Sequence, residues 1–134
     1  EQLEFGRFVA AHAIPFRMNP HFPVNSLLVM RTLVGAQQAG CLMPAVDALM
    51  GGMWERGLDL AQPEIVAAAL DEAGLDGGAL LALANNPDVK AKLAANTDDA
   101  VRRGAFGVPT FFVGDDLFFG KERLGQVGAT LQKS

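Results

Sequence analysis

The stretch GAFGVPTFFVGDDLFFGKERL, from Gly104 to Leu124, constrains the fold more than any other part of the chain. Phe111, Phe112 and Val113 make one β-prone run, and Leu117, Phe118 and Phe119 make another. Gly114, Asp115 and Asp116 lie between them, which suits a tight hairpin. The strands are expected at about 110–113 and 116–119, paired antiparallel. Val108-Pro109 stands directly before the first strand, where proline donates no hydrogen bond and fixes its own φ. Gly120 then opens a helical segment expected from Lys121 to about Gln132. Gly125 and Gly128 weaken that helix by up to ~1 kcal/mol each relative to alanine, so packing must hold it.

Upstream the pattern is helical. Phe5, Phe8, Val9 and His12 fall at i, i+3, i+4 and i+7, so residues 2–12 read as an amphipathic helix with His12 at its C-terminal end. Ile14 to Pro23 holds three prolines and is expected to be extended and irregular. Residues 24–38 carry Leu27, Met30 and Val34 on one face, and Gly40 breaks the pattern. Residues 41–55 form a further helix with Leu42, Val46, Leu49, Met50 and Met53, stopped at Gly57. Pro63 suits the first turn of a helix ending near Ala73, and residues 77–85 make a short one. Asn86-Pro87, a capping side chain followed by proline, starts a helix that reaches about Arg103. Its pairs Asp98–Arg102 and Asp99–Arg103, at i and i+4, read as a solvated face.

Composition excludes several function classes. Half of the 134 residues are hydrophobic and 19% charged, enough for a real core. The net charge of −4, with basic residues scattered, argues against a nucleic-acid partner. Apolar runs are broken well before ~18 residues, so no transmembrane helix and no membrane partner are expected, and no signal-like segment is seen; the expected location is cytoplasmic. The single cysteine, Cys41, permits neither an internal disulfide nor a CxxC pair. It reads as a small buried hydrophobe in a helix, since no basic neighbour in sequence would activate it. Trp54 and the methionines at 43, 50 and 53 read as core. His12 and His21 have no carboxylates at metal-site spacing, so no metal is expected.

The C-terminal stretch resembles the second half of a thioredoxin-like (DsbA-like) α/β fold with an α-helical insertion. Within that branch it is similar to the 2-hydroxychromene-2-carboxylate isomerases and kappa-class glutathione transferases. The matching residues are Gly107-Val108-Pro109-Thr110, Phe119-Gly120-Lys121-Glu122-Arg123-Leu124, Ile14-Pro15-Phe16, and the run from Asn19 to Ser26 (Asn-Pro-His-Phe-Pro-Val-Asn-Ser). The resemblance covers essentially the whole chain. It divides the chain into a helix and extended lead-in (1–23), an α-helical insertion (24–103) and the C-terminal half of the thioredoxin-like domain (104–134). A lone hairpin is marginal and leaves its edges unpaired, so further sheet strands are expected from an N-terminal β-α-β unit outside this sequence. By resemblance that unit also carries the family's catalytic serine.

The resemblance implies glutathione as cofactor, a small-molecule substrate and a homodimer. A cis bond at Val108-Pro109 would turn the Val108 backbone outward to pair with the peptide of glutathione like an added strand; the plain alternative is a loop-to-strand turn. At Phe119 to Glu122, the helix start would hold the γ-glutamyl end, with the Gly120 and Lys121 backbone on its carboxylate and Glu122 on its ammonium. The family often has aspartate or asparagine-aspartate where this chain has Lys121-Glu122. The plainer alternative is that Glu122 is an ordinary first-turn acid. Asn19, Asn25 and Ser26 border the expected substrate site, although Asn25 or Ser26 could simply cap the next helix. The activity implied is a glutathione-dependent isomerisation of an unsaturated aromatic 2-oxo acid or similar compound. Two rivals stand beside it: a DsbA-like thiol–disulfide oxidoreductase, and a non-catalytic thioredoxin-like binding module.

Overall fold

The structure, a computed structural model, describes residues 2–133. Six helices come first: α1 (Gln2–Ala11), α2 (Leu27–Gln38), α3 (Leu42–Trp54), α4 (Pro63–Glu72), α5 (Gly77–Ala84) and α6 (Pro87–Arg102). They are followed by β1 (Thr110–Val113), β2 (Asp116–Phe119), a 3-10 turn (Lys121–Arg123) and α7 (Leu124–Leu131). The chain divides into two compact units, one ending at Leu93 and one beginning at Ala94. None of the described helices is long and apolar enough to cross a membrane.

The first unit is a helical cluster around a single core. Leu70 and Val66 from α4, Val89 from α6 and Thr32 from α2 are fully buried. Each such Leu or Val contributes about 1.5–3 kcal/mol by leaving water. The Thr32 hydroxyl donates to the Leu28 carbonyl at 2.8 Å, so its burial leaves no polar atom unpaired. The helix starts follow local chemistry. Pro63 sits in the first turn of α4. The Asp76 carboxylate accepts from the Ala79 N–H at 2.9 Å and caps α5. The Asn86 amide oxygen accepts from the Asp88 N–H at 2.8 Å ahead of α6. Gly74, at φ +81°, ends the α4 segment in a backbone conformation that side-chain-bearing residues rarely adopt.

The apolar faces differ from the sequence pattern in two helices. On α2 the buried residues are Thr32, Val34, Gly35 and Ala36, while Leu27 and Met30 are exposed. The reason is Gly35: it lets α2 approach so closely that a β-carbon there would lie 2.9 Å from that of Leu83. On α3, Ala45, Leu49 and Gly52 face the core. Met43 (62% exposed) and Met50 lie outside it, so these methionines are not core residues. Cys41 stands at the N-cap of α3 rather than within a helix and is half-buried against the core.

The second unit is the hairpin and its helix. β1 and β2 form a two-stranded antiparallel sheet pairing Thr110 with Phe119 and Val113 with Asp116. Asp116 therefore belongs to the second strand, leaving Gly114 and Asp115 as the turn. α7 packs against β1. The helix expected from Lys121 begins as a 3-10 turn and becomes α-helical at Leu124. Arg103 is exposed, as a solvated face requires, but its side chain does not pair with Asp99. Its guanidinium lies 3.9 Å over the Phe112 ring and donates to the Gly114 carbonyl at 3.2 Å, tying the end of α6 to the hairpin. Arg102 pairs with Asp99 at i and i+3, 2.9 Å apart.

Candidate functional site

In the second unit, Gly107, Val108, Pro109, Phe119 and Gly120 lie side by side. The Thr110 hydroxyl donates to the Gly107 carbonyl at 2.6 Å, closing the loop before β1. The Gly120 N–H donates to the Pro109 carbonyl at 3.0 Å and extends the hairpin ladder by one bond. Val108 lies just beyond that last bond and is 89% exposed. Among the described residues, neither its N–H nor its C=O enters a hydrogen bond. The Val108–Pro109 bond is cis, and so is Phe22–Pro23, which the sequence did not single out. Phe119 lays its ring across Gly107, where an added β-carbon would come within 2.9 Å of it. The same ring packs on Phe106, with centroids 4.6 Å apart.

The helix start continues this surface. Gly120 has φ +96°, which favours glycine, and precedes the 3-10 turn. The Glu122 carboxylate donates nothing and accepts from Lys121 Nζ at 2.6 Å. Its other oxygen folds back over Gly120, 2.7 Å from where a β-carbon would sit. The Lys121 ammonium, then the backbone N–H of Glu122 itself, hold this carboxyl below the ordinary glutamate value. The turn thus carries an ionised carboxylate beside the Lys121 ammonium.

The three residues assigned by resemblance to the second substrate fare differently. Asn19 is 2% exposed and taken up by the fold. Its amide nitrogen donates to the carbonyls of Met53 (2.9 Å) and Leu58 (2.8 Å), and its oxygen accepts from the His21 N–H (2.7 Å). With both polar atoms of its side chain engaged, it ties the irregular lead-in to the end of α3. Asn25 and Ser26 are exposed at the start of α2. The Asn25 oxygen accepts from the Leu27 N–H at 3.1 Å, and Ser26 occupies the N-cap without a side-chain bond.

A feature the sequence reading missed lies in the first unit. A groove of about 810 Å³ opens between the α1 segment and α3. Its aromatic wall is continuous: Phe5 meets Phe16 edge-on at 4.9 Å, and Phe16 stacks on Trp54 at 5.7 Å. The signal was present in α3 and its C-cap, where Asp47, Met50, Gly51, Trp54 and Glu55 recur at helical spacing on the face turned from the core.

Comparisons with known proteins bear on both units. A family model described as a DSBA-like thioredoxin domain matches residues 4–132. Glutathione S-transferase kappa 1 of Homo sapiens is 30% identical, over 78% of this chain and 54% of its own length. 2-Hydroxychromene-2-carboxylate isomerase of Sphingobium xenophagum is 30% identical, over 59% of this chain and 40% of its own length. The chain spans about half the length of the curated relatives it matches. Among solved structures, that of selenomethionine 2-hydroxychromene-2-carboxylate isomerase superposes with a TM-score of 0.78 at 19% identity. The superposition covers 98% of this chain and 64% of that one, and together with the family model establishes a DsbA-like thioredoxin fold.

Proposed function

The chain belongs to the DSBA-like thioredoxin-domain family, and from that premise we propose that it serves a glutathione-dependent isomerase acting on an unsaturated aromatic 2-oxo acid or similar compound. The observation that carries the reading is Val108: an exposed residue with an unengaged N–H and C=O, placed where the hairpin ladder ends. Such a backbone can take the peptide of glutathione as one more strand. The γ-glutamyl carboxylate would lie at the helix start beside Lys121, and Glu122 would take its ammonium group, while the Gly120 N–H stays with the Pro109 carbonyl. Pro109 and Phe119 shape the floor, with Gly107 making room for the Phe119 ring. Lys121 already neutralises Glu122, so the ammonium would share that carboxylate with it. When bound, glutathione supplies a thiol that can add to an unsaturated acceptor and leave again. This chain's own part is to bind and orient it. Asn25 and Ser26 would border the acceptor. The names of the curated relatives, two of which are kappa glutathione transferases, support glutathione over a dithiol. A homodimer and a cytoplasmic location belong to the same reading.

The test is a titration of the isotopically labelled protein with reduced glutathione, followed amide by amide. Binding should move Val108 and Gly120 to Glu122 first. Gly120→Ala, which strains a φ of +96° and meets the Glu122 carboxylate, should weaken it. Silence at millimolar glutathione, shifts confined to other residues, or undiminished binding by Gly120→Ala would sink the proposal.

A further inference from the structure

We propose that the groove between α1 and α3 is a second binding site, and that its ligand is a small organic cation with an apolar body. The inference is independent of the glutathione reading.

The groove has the size of a small-molecule pocket, about 810 Å³. Its walls are almost wholly apolar, with Phe5, Phe16 and Trp54 presenting three rings and Ile14 and Met18 completing the side formed by the lead-in. Among the described residues its only charged lining groups are two acids, Asp47 and Glu55. Neither carboxylate takes part in a hydrogen bond or ion pair among the described residues. They stand eight residues apart, Asp47 within α3 and Glu55 at its C-cap, roughly 12 Å along the axis at 1.5 Å per residue. Between them lies Gly51, and a β-carbon there would meet nothing within 4 Å. The floor of the groove is therefore open, with an unpaired carboxylate towards either end.

That combination selects a chemistry. An apolar body can rest over Gly51 against the rings, and a positive head can reach Asp47 or Glu55. The ring faces attract a cation as well, through their quadrupoles. An anion of the same shape would meet two carboxylates and no basic lining residue. A neutral analogue would gain only the apolar contact.

Three probes with similar bodies separate these cases: phenethylammonium, phenethyl alcohol and hydrocinnamate. Trp54 is the sole tryptophan and lines the groove, so its fluorescence reports occupancy directly. Phenethylammonium should bind at least about tenfold more tightly than the alcohol, a difference of ~1.4 kcal/mol, and hydrocinnamate more weakly than either. Asp47→Asn combined with Glu55→Gln should remove the preference for the cation while leaving alcohol binding unchanged. Gly51→Leu projects a side chain into open space, so circular dichroism should show an intact fold while all binding is lost. The proposal is overturned if cation and alcohol bind equally, if hydrocinnamate binds best, or if Trp54 does not respond to millimolar cation. It is also overturned if Gly51→Leu keeps wild-type binding, or if sedimentation shows a second copy of the chain covering Trp54.

Discussion

Asn19→Ala offers the sharpest check on how the lead-in is held. The substitution deletes three hydrogen bonds: two donated to the carbonyls of Met53 and Leu58, and one accepted from the His21 N–H. Each is worth about 0.5–1.5 kcal/mol net, and partners left without water cost more. The expected loss is about 2–4 kcal/mol, a large share of the ~5–15 kcal/mol that a domain possesses. With a urea slope of ~1–3 kcal/mol per molar, the unfolding midpoint should fall by roughly 1–2 M. Asn19→Asp should be at least as damaging. It keeps an acceptor for His21 but turns a carboxylate against two carbonyl oxygens that need a donor. Urea titrations read by Trp54 fluorescence and by far-ultraviolet circular dichroism suit the question, because Trp54 adjoins Met53 and dichroism averages over all helices. Coincident transitions justify the two-state treatment. A loss below ~1 kcal/mol with an unchanged slope would refute the argument that these bonds anchor the lead-in. Unchanged stability with weakened substrate binding would return Asn19 to the role its loop position suggested.

Gly77→Ala should destabilise by about 1–3 kcal/mol or more, since the new methyl would run into the Ala67 carbonyl oxygen and lie 2.8 Å from the Ala67 α-carbon; differential scanning calorimetry reads the loss. Arg103→Ala should cost about 1–2 kcal/mol and lower hydrogen-exchange protection in the hairpin, because it removes both the Phe112 ring contact and the bond to Gly114; lysine should not restore it. Glu122 should titrate below an ordinary glutamate, and Lys121→Met should raise it part of the way, its own backbone N–H still favouring the anion. The depressed folded value means that this carboxylate favours the folded state above its unfolded pKa. The effect is lost as pH falls through the folded pKa, and carbon-detected titration of the Glu122 carboxyl checks the direction.

How far the sequence could be read depended on the range of the forces involved. Pro63, Gly74, Asn86-Pro87 and the Gly114-Asp115 turn act on their immediate neighbours, and the elements begin or end at them. Which face of a helix is buried is decided by other helices. α2 and α3 carry apolar residues on more than one face, so periodicity alone favoured Met30 and Met50 for the core while close approach at Gly35 and Gly52 chose otherwise. Asn19 shows the same limit most clearly. A polar side chain on a proline-rich loop looks like a ligand-binding group, and the partners that engage it lie 34 and 39 residues away.

At the candidate glutathione site the limit takes another form. Backbone chemistry carried over from sequence to structure more directly than side-chain chemistry, because Val108 and Gly120 are defined by the strand and helix boundaries around them. Glu122 is not so defined. Its carboxylate is shared among Lys121, its own N–H and the space above Gly120, and any ligand ammonium must compete for it. Exchange of one exposed ionic partner for another yields little net free energy. Glutathione recognition here should therefore rest on the Val108 backbone, with Glu122 adjusting affinity rather than creating it.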